Sequence, residues 1–351
     1  MILISFGEYH EDENIKSKGM VVNMKTMKQM IVSGPRRTEL VDVPVPDINE
    51  EQMLVRVTLT GMCHSEFYGW HTGTQKILGH ESVGVVERVG DKVKGFKVGD
   101  RVTGLGGGAY REYIVVEPRK MAHVPDSICD EDAISEPLAC ILSAAMKLPI
   151  MTLGDTIAVV GCGYMGLGTI ACFKVMGYGR IIAIDKRPEA LENAKKFGAT
   201  ETYLPEEIPV EYKMTFDTMG KVSLTRDGDN YNILTGGIPT VMEFTGTEDG
   251  LRLAGDLVQG HGRLGIGGYH NDGDRTIDYK LWNFKAITTI NCHERRIDYE
   301  ADLCRRAMEL LDKGLWNFKG VTKVFDVRDF DKVSEMMENH TDGFIKGAFK
   351  F

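Results

Sequence analysis

The chain has 351 residues, 42% of them hydrophobic and 26% charged, and a formal net charge of −9. That length holds two domains of ordinary size, and the composition is that of a globular protein. The acidic balance excludes an electrostatic footprint for nucleic acid or an anionic membrane, and no apolar run approaches the roughly 20 residues needed to span a bilayer.

The opening residues, MILISFGEYHEDENIKSKG, are not a secretory signal: they lack a basic start, and Glu8, Glu11, Asp12 and Glu13 follow a short apolar run. Residues 1–24 read as an N-terminal tail, with Met20, Met24 and Met27 as alternative starts. From Lys28 to about Arg119 the texture is β. MKQMIVSG and QMLVRVTLTG are rich in Val, Ile and Thr and are bounded by Gly, whereas Pro44 and Pro46 keep VDVPVPDINEE from being a central strand. The repeated Gly between Val-rich runs in SVGVVERVGDKVKGFKVGDRVTG predicts a compact barrel with tight turns, and AYREYIVVEP closes it.

At Ser135 the pattern changes. SEPLACILSAAMKL predicts a helix with Ser135 as N-cap, Pro137 in the first turn and Glu136 where the helix dipole favours a carboxylate. From Asp155 strands alternate with helices. DTIAVVG, GRIIAID, TVMEFTG, GRLGIGG and KAITTINC are strands, while YMGLGTIACFKVMGY, RPEALENAKKFG and LRLAGDLVQG are helices. This alternation predicts a parallel, doubly wound sheet. TRDGDNYN reads as a surface excursion, YEADLCRRAMELLDKG as an amphipathic helix, and a mixed α/β tail ends the chain. The seven Cys, at 63, 129, 140, 162, 172, 292 and 304, are dispersed without paired spacing, which argues against a disulfide scaffold. A reducing compartment, the cytoplasm, is the expectation.

Two stretches carry chemistry. In GMCHSEFYGWHTGTQKILGHE (Gly61 to Glu81), Cys63, His80 and Glu81 supply the sulfur, nitrogen and oxygen that zinc accepts. Catalytic zinc needs three protein ligands and an open position, and Glu136 in SEPLAC is a candidate for the third. A lone Cys is more often a small buried hydrophobe, and Glu136 alone is a favourable first-turn acid. In GCGYMG, the residues Gly161, Gly163 and Gly166 stand in G-x-G-x-x-G spacing between a strand and a helix, with Asp185 about 20 residues on. The spacing alone is weak in a chain with 40 Gly, but this context is that of a dinucleotide site. The Asp185 carboxylate favours the ribose hydroxyls of NAD over a 2′-phosphate; Lys186 or Arg187 could accept that phosphate, but behind the acid both read as solvated cations at the strand end.

These residues together resemble the zinc-dependent medium-chain dehydrogenases, the alcohol, polyol and threonine dehydrogenase group. The matching marks are GMCHSE, LGHESVGVVERVG, VGDRV, SEPLAC, VGCGYMG with Asp185, EFTG and GRLGIGG, in the family's order from about Lys28 to the end. The resemblance implies an α/β chain built of a GroES-like β-barrel catalytic domain, split over 25–138 and 297–351, and a doubly wound Rossmann NAD-binding domain over 139–296. It implies hydride transfer between the carbon of a secondary alcohol, such as a polyol, cyclitol or sugar-derived alcohol, and NAD. Carried over by position, Cys63 and His80 are zinc ligands and Glu136 stands at or near the third position. Glu81 approaches the metal or supports it from behind, Ser65 passes on the alcohol proton, and His64 lies near the cofactor pyrophosphate. Gly161, Gly163, Tyr164, Met165, Gly166, Asp185, Thr245, Gly246 and Gly267 line the cofactor site. A homo-oligomer, dimer or tetramer, is also implied.

Two departures stand out. Between Val102 and Tyr113 there is no Cys, so the family's lobe with a second, structural zinc is absent and a single catalytic zinc is expected. Glu66 replaces the Asp common in the family, which puts the orientation of a ligand in question. Tyr68, Trp70 and His71 are candidate walls of the substrate pocket, and His293 in INCHERR lies either at the cleft or in a structural contact. The competing readings are a metal-free, NADPH-dependent quinone or enoyl reductase on the same scaffold and a non-catalytic NAD-binding protein.

Overall fold

The computed structural model describes residues 25–75, 77–219 and 236–351. The expected tail at 1–24 and the expected excursion TRDGDNYN lie outside the described residues. Strands β1 (Thr26–Gly34) and β2 (Arg37–Pro44) form an antiparallel pair of their own. Next come β3 (Met53–Gly61), the short helix α1 (Phe67–Thr72), β4 (Glu81–Val89), β5 (Arg101–Leu105), β6 (Tyr113–Val116) and β7 (Met121–His123). Pro44 ends β2, which among the described residues pairs with β1 alone, an edge position that tolerates a residue with no amide to donate.

Helix α2 (Ser135–Met146) leads into the alternating half. Ser135 does not cap it. Ile134 holds the N-cap position, while the Ser135 amide donates to Thr103 Oγ1 at 3.1 Å and the two hydroxyls meet at 3.1 Å. A long-range partner in β5 takes the group that local pattern assigns to capping. The alternating half comprises β8 (Thr156–Val160), α3 (Tyr164–Met176), β9 (Arg180–Ile184), α4 (Pro188–Phe197), β10 (Glu201–Tyr203), α5 (Phe216–Met219), β11 (Ile238–Glu243), α6 (Glu248–Leu257), β12 (Val258–Ile266), α7 (Tyr279–Phe284) and β13 (Thr288–Asn291). Its six strands are parallel, in the order β10-β9-β8-β11-β12-β13. The order reverses between β8 and β11, and an open α/β sheet binds ligands outside the carboxyl ends of the strands at that point.

The chain then returns. Helix α8 (Ile297–Asp312) packs on α2, and β14 (Thr322–Asp326), α9 (Phe330–Glu338) and β15 (Lys346–Lys350) follow. Strand β15 lies antiparallel to β3, which completes a seven-stranded sheet in the order β14-β15-β3-β4-β5-β7, with β6 also on β3. One apolar cluster runs through both halves. It holds Leu59 and Val83 of the mixed sheet, Leu138 and Ile141 of α2, Ile157 and Ile170 of the parallel half, and Cys304 and Met308 of α8. Burying these side chains against each other is the main force that seats one half on the other. Among the described residues, no helix is long and apolar enough to cross a membrane.

Candidate active site

The metal-ligating side chains come from one antiparallel pairing. Strands β3 and β4 run in register with Gly61 opposite Glu81, so Cys63, just past β3, stands beside His80 and Glu81 at the start of β4. Gly61 leaves room for the carboxylate: a Cβ on it would displace Glu81 Oε2 and lie 3.1 Å from Glu81 Cβ. Ligand atoms of Cys63, His80 and Glu81 all lie within 4.8 Å of one another.

His80 is oriented from behind. Its Nδ1 is 3.0 Å from Glu66 Oε1, which leaves Nε2 for a metal. Glu66 is buried and is itself held by the Gly79 amide at 2.8 Å and by the Tyr110 hydroxyl at 2.9 Å. The longer acid thus reaches the imidazole, which answers the question raised by the missing Asp. Burial opposes a charge on His80, but Cys63 and Glu66 outweigh it and push its pKa up to about 12. Ser65 donates its hydroxyl to Cys63 Sγ at 3.2 Å. His64 is exposed at the site's edge, with its ring 4.7 Å from that of Phe67.

Glu81 has a partner that sequence reading missed. Lys346 of β15 is almost fully buried and donates to Glu81 Oε1 at 2.8 Å and to the Met62 carbonyl at 2.7 Å. Burial works against the ammonium, but the charges of Glu81 and Cys63 prevail and hold its pKa above the ordinary lysine value. Lys346 Nζ also lies 2.5 Å from Glu81 Oε2, so the ammonium faces both carboxylate oxygens. A sulfur, a nitrogen and a carboxylate oxygen within 4.8 Å of one another fit the donor set of a zinc ion.

Glu136 does not fall inside that trio. It forms a second group with Cys140 and Glu300, in which Cys140 Sγ is 3.7 Å from Glu136 and 3.2 Å from Glu300. Burial and the charge of Glu81 raise the Glu136 pKa to about 7, against the opposing pull of His80. Glu300, on α8, was invisible as a neighbour in sequence. The expected pocket wall also changes. Trp70 is fully buried with its Nε1 donating to Asp331 at 2.8 Å, His71 pairs with Glu338, and Tyr68 alone is well exposed. His293 lies edge-on to Tyr269, at 5.1 Å between ring centroids.

The glycine-rich turn sits at the reversal of the parallel sheet. Gly161 has φ +97°, and a Cβ on Gly166 would lie 1.9 Å from the Gly161 carbonyl oxygen, so the first turn of α3 can pack only against glycine. Gly163 borders open space. Met165 is half-buried, and Tyr164 packs on Phe318 and under Lys346, 4.9 Å from its ring centroid. Asp185, just after β9, accepts from the Cys162 amide at 2.8 Å. Arg187 is not a free solvated cation: its guanidinium grips Asp185 at 2.9 and 3.0 Å. Burial pushes the Asp185 pKa up, but these bonds outweigh it and hold the group below the usual carboxylate value. Thr245 and Gly246 follow β11, and Gly267 follows β12, where its amide donates to the Glu243 carbonyl at 2.9 Å. A strand, a tight glycine turn opening a helix and a buried acid at the next strand end fit a nicotinamide dinucleotide.

Among the described residues no four cysteines come together; Cys129, Cys162, Cys172, Cys292 and Cys304 lie outside both groups. Residues 49–126 match the alcohol dehydrogenase GroES-like domain family, and residues 165–313 match the zinc-binding dehydrogenase family. Sorbitol dehydrogenase of Bacillus subtilis is 33% identical over 214 residues, 50% of this chain and 60% of that protein. L-threonine 3-dehydrogenase of Escherichia coli is 25% identical over 343 residues, covering 87% of this chain and 94% of that protein. A crystal structure of a Sinorhizobium meliloti protein bound to NADP shares the fold, with a TM-score of 0.75, 20% identity, and coverage of 93% of this chain and 100% of that one. Both domain families match in order along one chain that carries a seven-stranded mixed sheet and a six-stranded parallel sheet, and the chain belongs to the zinc-type medium-chain dehydrogenase/reductase family.

Proposed function

We propose that the chain is a zinc-dependent oxidoreductase that moves a hydride between a secondary alcohol and NAD. The observation that carries this reading is the convergence of ligand atoms of Cys63, His80 and Glu81 within 4.8 Å of one another. These three residues would hold one zinc, with Glu136 beside it. When bound, the metal would act as a Lewis acid on the substrate oxygen, and the nicotinamide would exchange the hydride.

The chain's own groups have separate tasks. Glu66 fixes the ring of His80, and Lys346 balances the charge of Glu81. Ser65, one hydrogen bond from Cys63, carries the alcohol proton away from the reacting oxygen. Gly161, Gly163 and Gly166 receive the pyrophosphate, with Tyr164 and Met165 opening the helix behind it, and Asp185 meets the adenosine ribose. Thr245, Gly246 and Gly267 border the nicotinamide side, and His64 faces the phosphates. The Bacillus relative named for sorbitol supports a polyol or a related sugar alcohol as substrate. A homo-oligomer and a cytoplasmic location complete the reading.

A second reading of the cofactor has its own observation. Arg187 neutralises Asp185, and a 2′-phosphate would meet less repulsion than a bare carboxylate gives. The test is a screen of secondary alcohols and ketones against NAD(H) and NADP(H), repeated after chelation. Turnover that chelation abolishes and zinc restores supports the proposal. Turnover indifferent to chelation points to the metal-free reductase, and no turnover alongside tight NADH binding points to the non-catalytic protein.

A further inference from the structure

A chain of buried polar groups lies beside the glycine turn, at the carboxyl end of β11. Glu243, the last residue of β11, is fully buried. Its Oε1 accepts from the Thr245 amide at 2.5 Å, the Thr245 hydroxyl at 2.6 Å and the Gly246 amide at 2.8 Å. Its Oε2 lies 3.0 Å from His270 Nε2. Arg275 Nε in turn donates to His270 Nδ1 at 2.9 Å, and Arg275 Nη2 donates to the Gly246 carbonyl at 2.9 Å.

Protonation follows from this connectivity. Nδ1 accepts from a guanidinium that cannot give up its proton, so Nε2 carries the imidazole hydrogen and donates to Glu243. Each link thus has a donor and an acceptor, and Arg275 is held further by Asp272 and by the Gly273 and Asp274 carbonyls. A Cβ on Gly268 would lie 2.7 Å from Glu243 Oε2, so the backbone beside the carboxylate is also held to minimal bulk.

The network fixes one wall of the crevice. A Cβ on Gly161 would lie 2.8 Å from the Phe244 carbonyl carbon and 2.9 Å from the Thr245 amide, so the loop after β11 directly faces the glycine turn. A dinucleotide laid across the reversal point puts its adenosine half over β8 and β9, where Asp185 stands, and its other half over β11 and β12. We infer that Glu243, His270 and Arg275 are positioning residues that hold Thr245 and Gly246 in place for the nicotinamide half of the cofactor. The inference rests on the proposed reading of the crevice as a nicotinamide dinucleotide site.

The test compares two probes on the full-length protein: NADH, and ADP-ribose, which lacks the nicotinamide. His270→Leu cuts the network in the middle. NADH should then bind about tenfold more weakly, the effect of losing roughly one charge-assisted hydrogen bond, while ADP-ribose affinity stays within about twofold. His270→Gln, whose amide can accept from Arg275 and donate to Glu243, should keep most of the NADH affinity. Arg275→Met, at the outer end of the network, serves as a second variant and should shift NADH in the same direction by about threefold. Circular dichroism checks that each variant folds, and if His270→Leu does not, Arg275→Met decides. Equal weakening of both probes, or NADH binding unchanged in both disrupting variants, overturns the inference. A wild-type protein that binds neither probe refutes the cofactor reading itself.

Discussion

Lys346→Met asks whether Glu81 is held as a buried charge. Methionine keeps the length of the side chain and removes its ammonium. Both partners are buried, with side-chain exposures of 4% and 1%. At 2.8 Å and an effective dielectric of about 20, their attraction is about 6 kcal/mol. The variant no longer pays to desolvate the lysine, so the net loss is smaller, about 3–5 kcal/mol for a buried pair broken on one side. Urea unfolding followed by tryptophan fluorescence reports it, because Trp70 and Trp316 are fully buried. Saturating zinc should shrink the deficit, since a cation beside Glu81 replaces the missing charge. Glu81→Gln combined with Lys346→Met should be less destabilised than the sum of the single variants by at least about 1 kcal/mol. A metal-free Lys346→Met protein within about 1 kcal/mol of wild type, or strictly additive single variants, would show that Lys346 and Glu81 are not a coupled buried pair.

Ser65→Ala should lower turnover at least about tenfold with zinc content unchanged, as loss of one proton-transfer group does; equal turnover across pH would remove Ser65 from the proton path. Arg187→Ala should free Asp185 to repel a 2′-phosphate and so raise the NAD to NADP preference measured as a ratio of kcat/KM; an unchanged or lower ratio would show that Asp185 does not set the choice. Lys285 is fully buried and donates to the Met214 carbonyl at 3.0 Å and the Gly255 carbonyl at 2.6 Å. Lys285→Met should therefore cost about 1–3 kcal/mol in stability, read by thermal unfolding, while leaving the ratio of zinc to chain unchanged.

The fold was legible because its signals are local. Short Val- and Ile-rich runs between glycines mark the strands, and the alternation after Asp155 marks the parallel sheet. Cys63, His80 and Glu81 were legible because the motif around them is specific, although their meeting depends on the pairing of β3 with β4. Lys346 was not legible, since 265 residues separate it from Glu81 and nothing near it in sequence advertises a buried ammonium. Glu300 is hidden in the same way, 160 residues from Cys140 on a helix whose pattern reads as ordinary amphipathic surface. Arg187 was misread for a different reason. Two residues from Asp185, it can either enter solvent or fold back, and the turn before α4 selects the second. Trp70 looked available for stacking in sequence, yet Asp331 of the returning C-terminal segment captures its indole.

The central claim is that Cys63, His80 and Glu81 hold a catalytic zinc and that no second, structural zinc exists. Elemental analysis of protein purified without added metal, wild type beside Cys63→Ser, tests it most directly. Wild-type protein should carry close to one zinc per chain and the variant nearly none, with circular dichroism unchanged, because no closed four-cysteine site is lost with the metal. Two zinc ions per chain, or a Cys63→Ser protein that keeps its zinc, would contradict it.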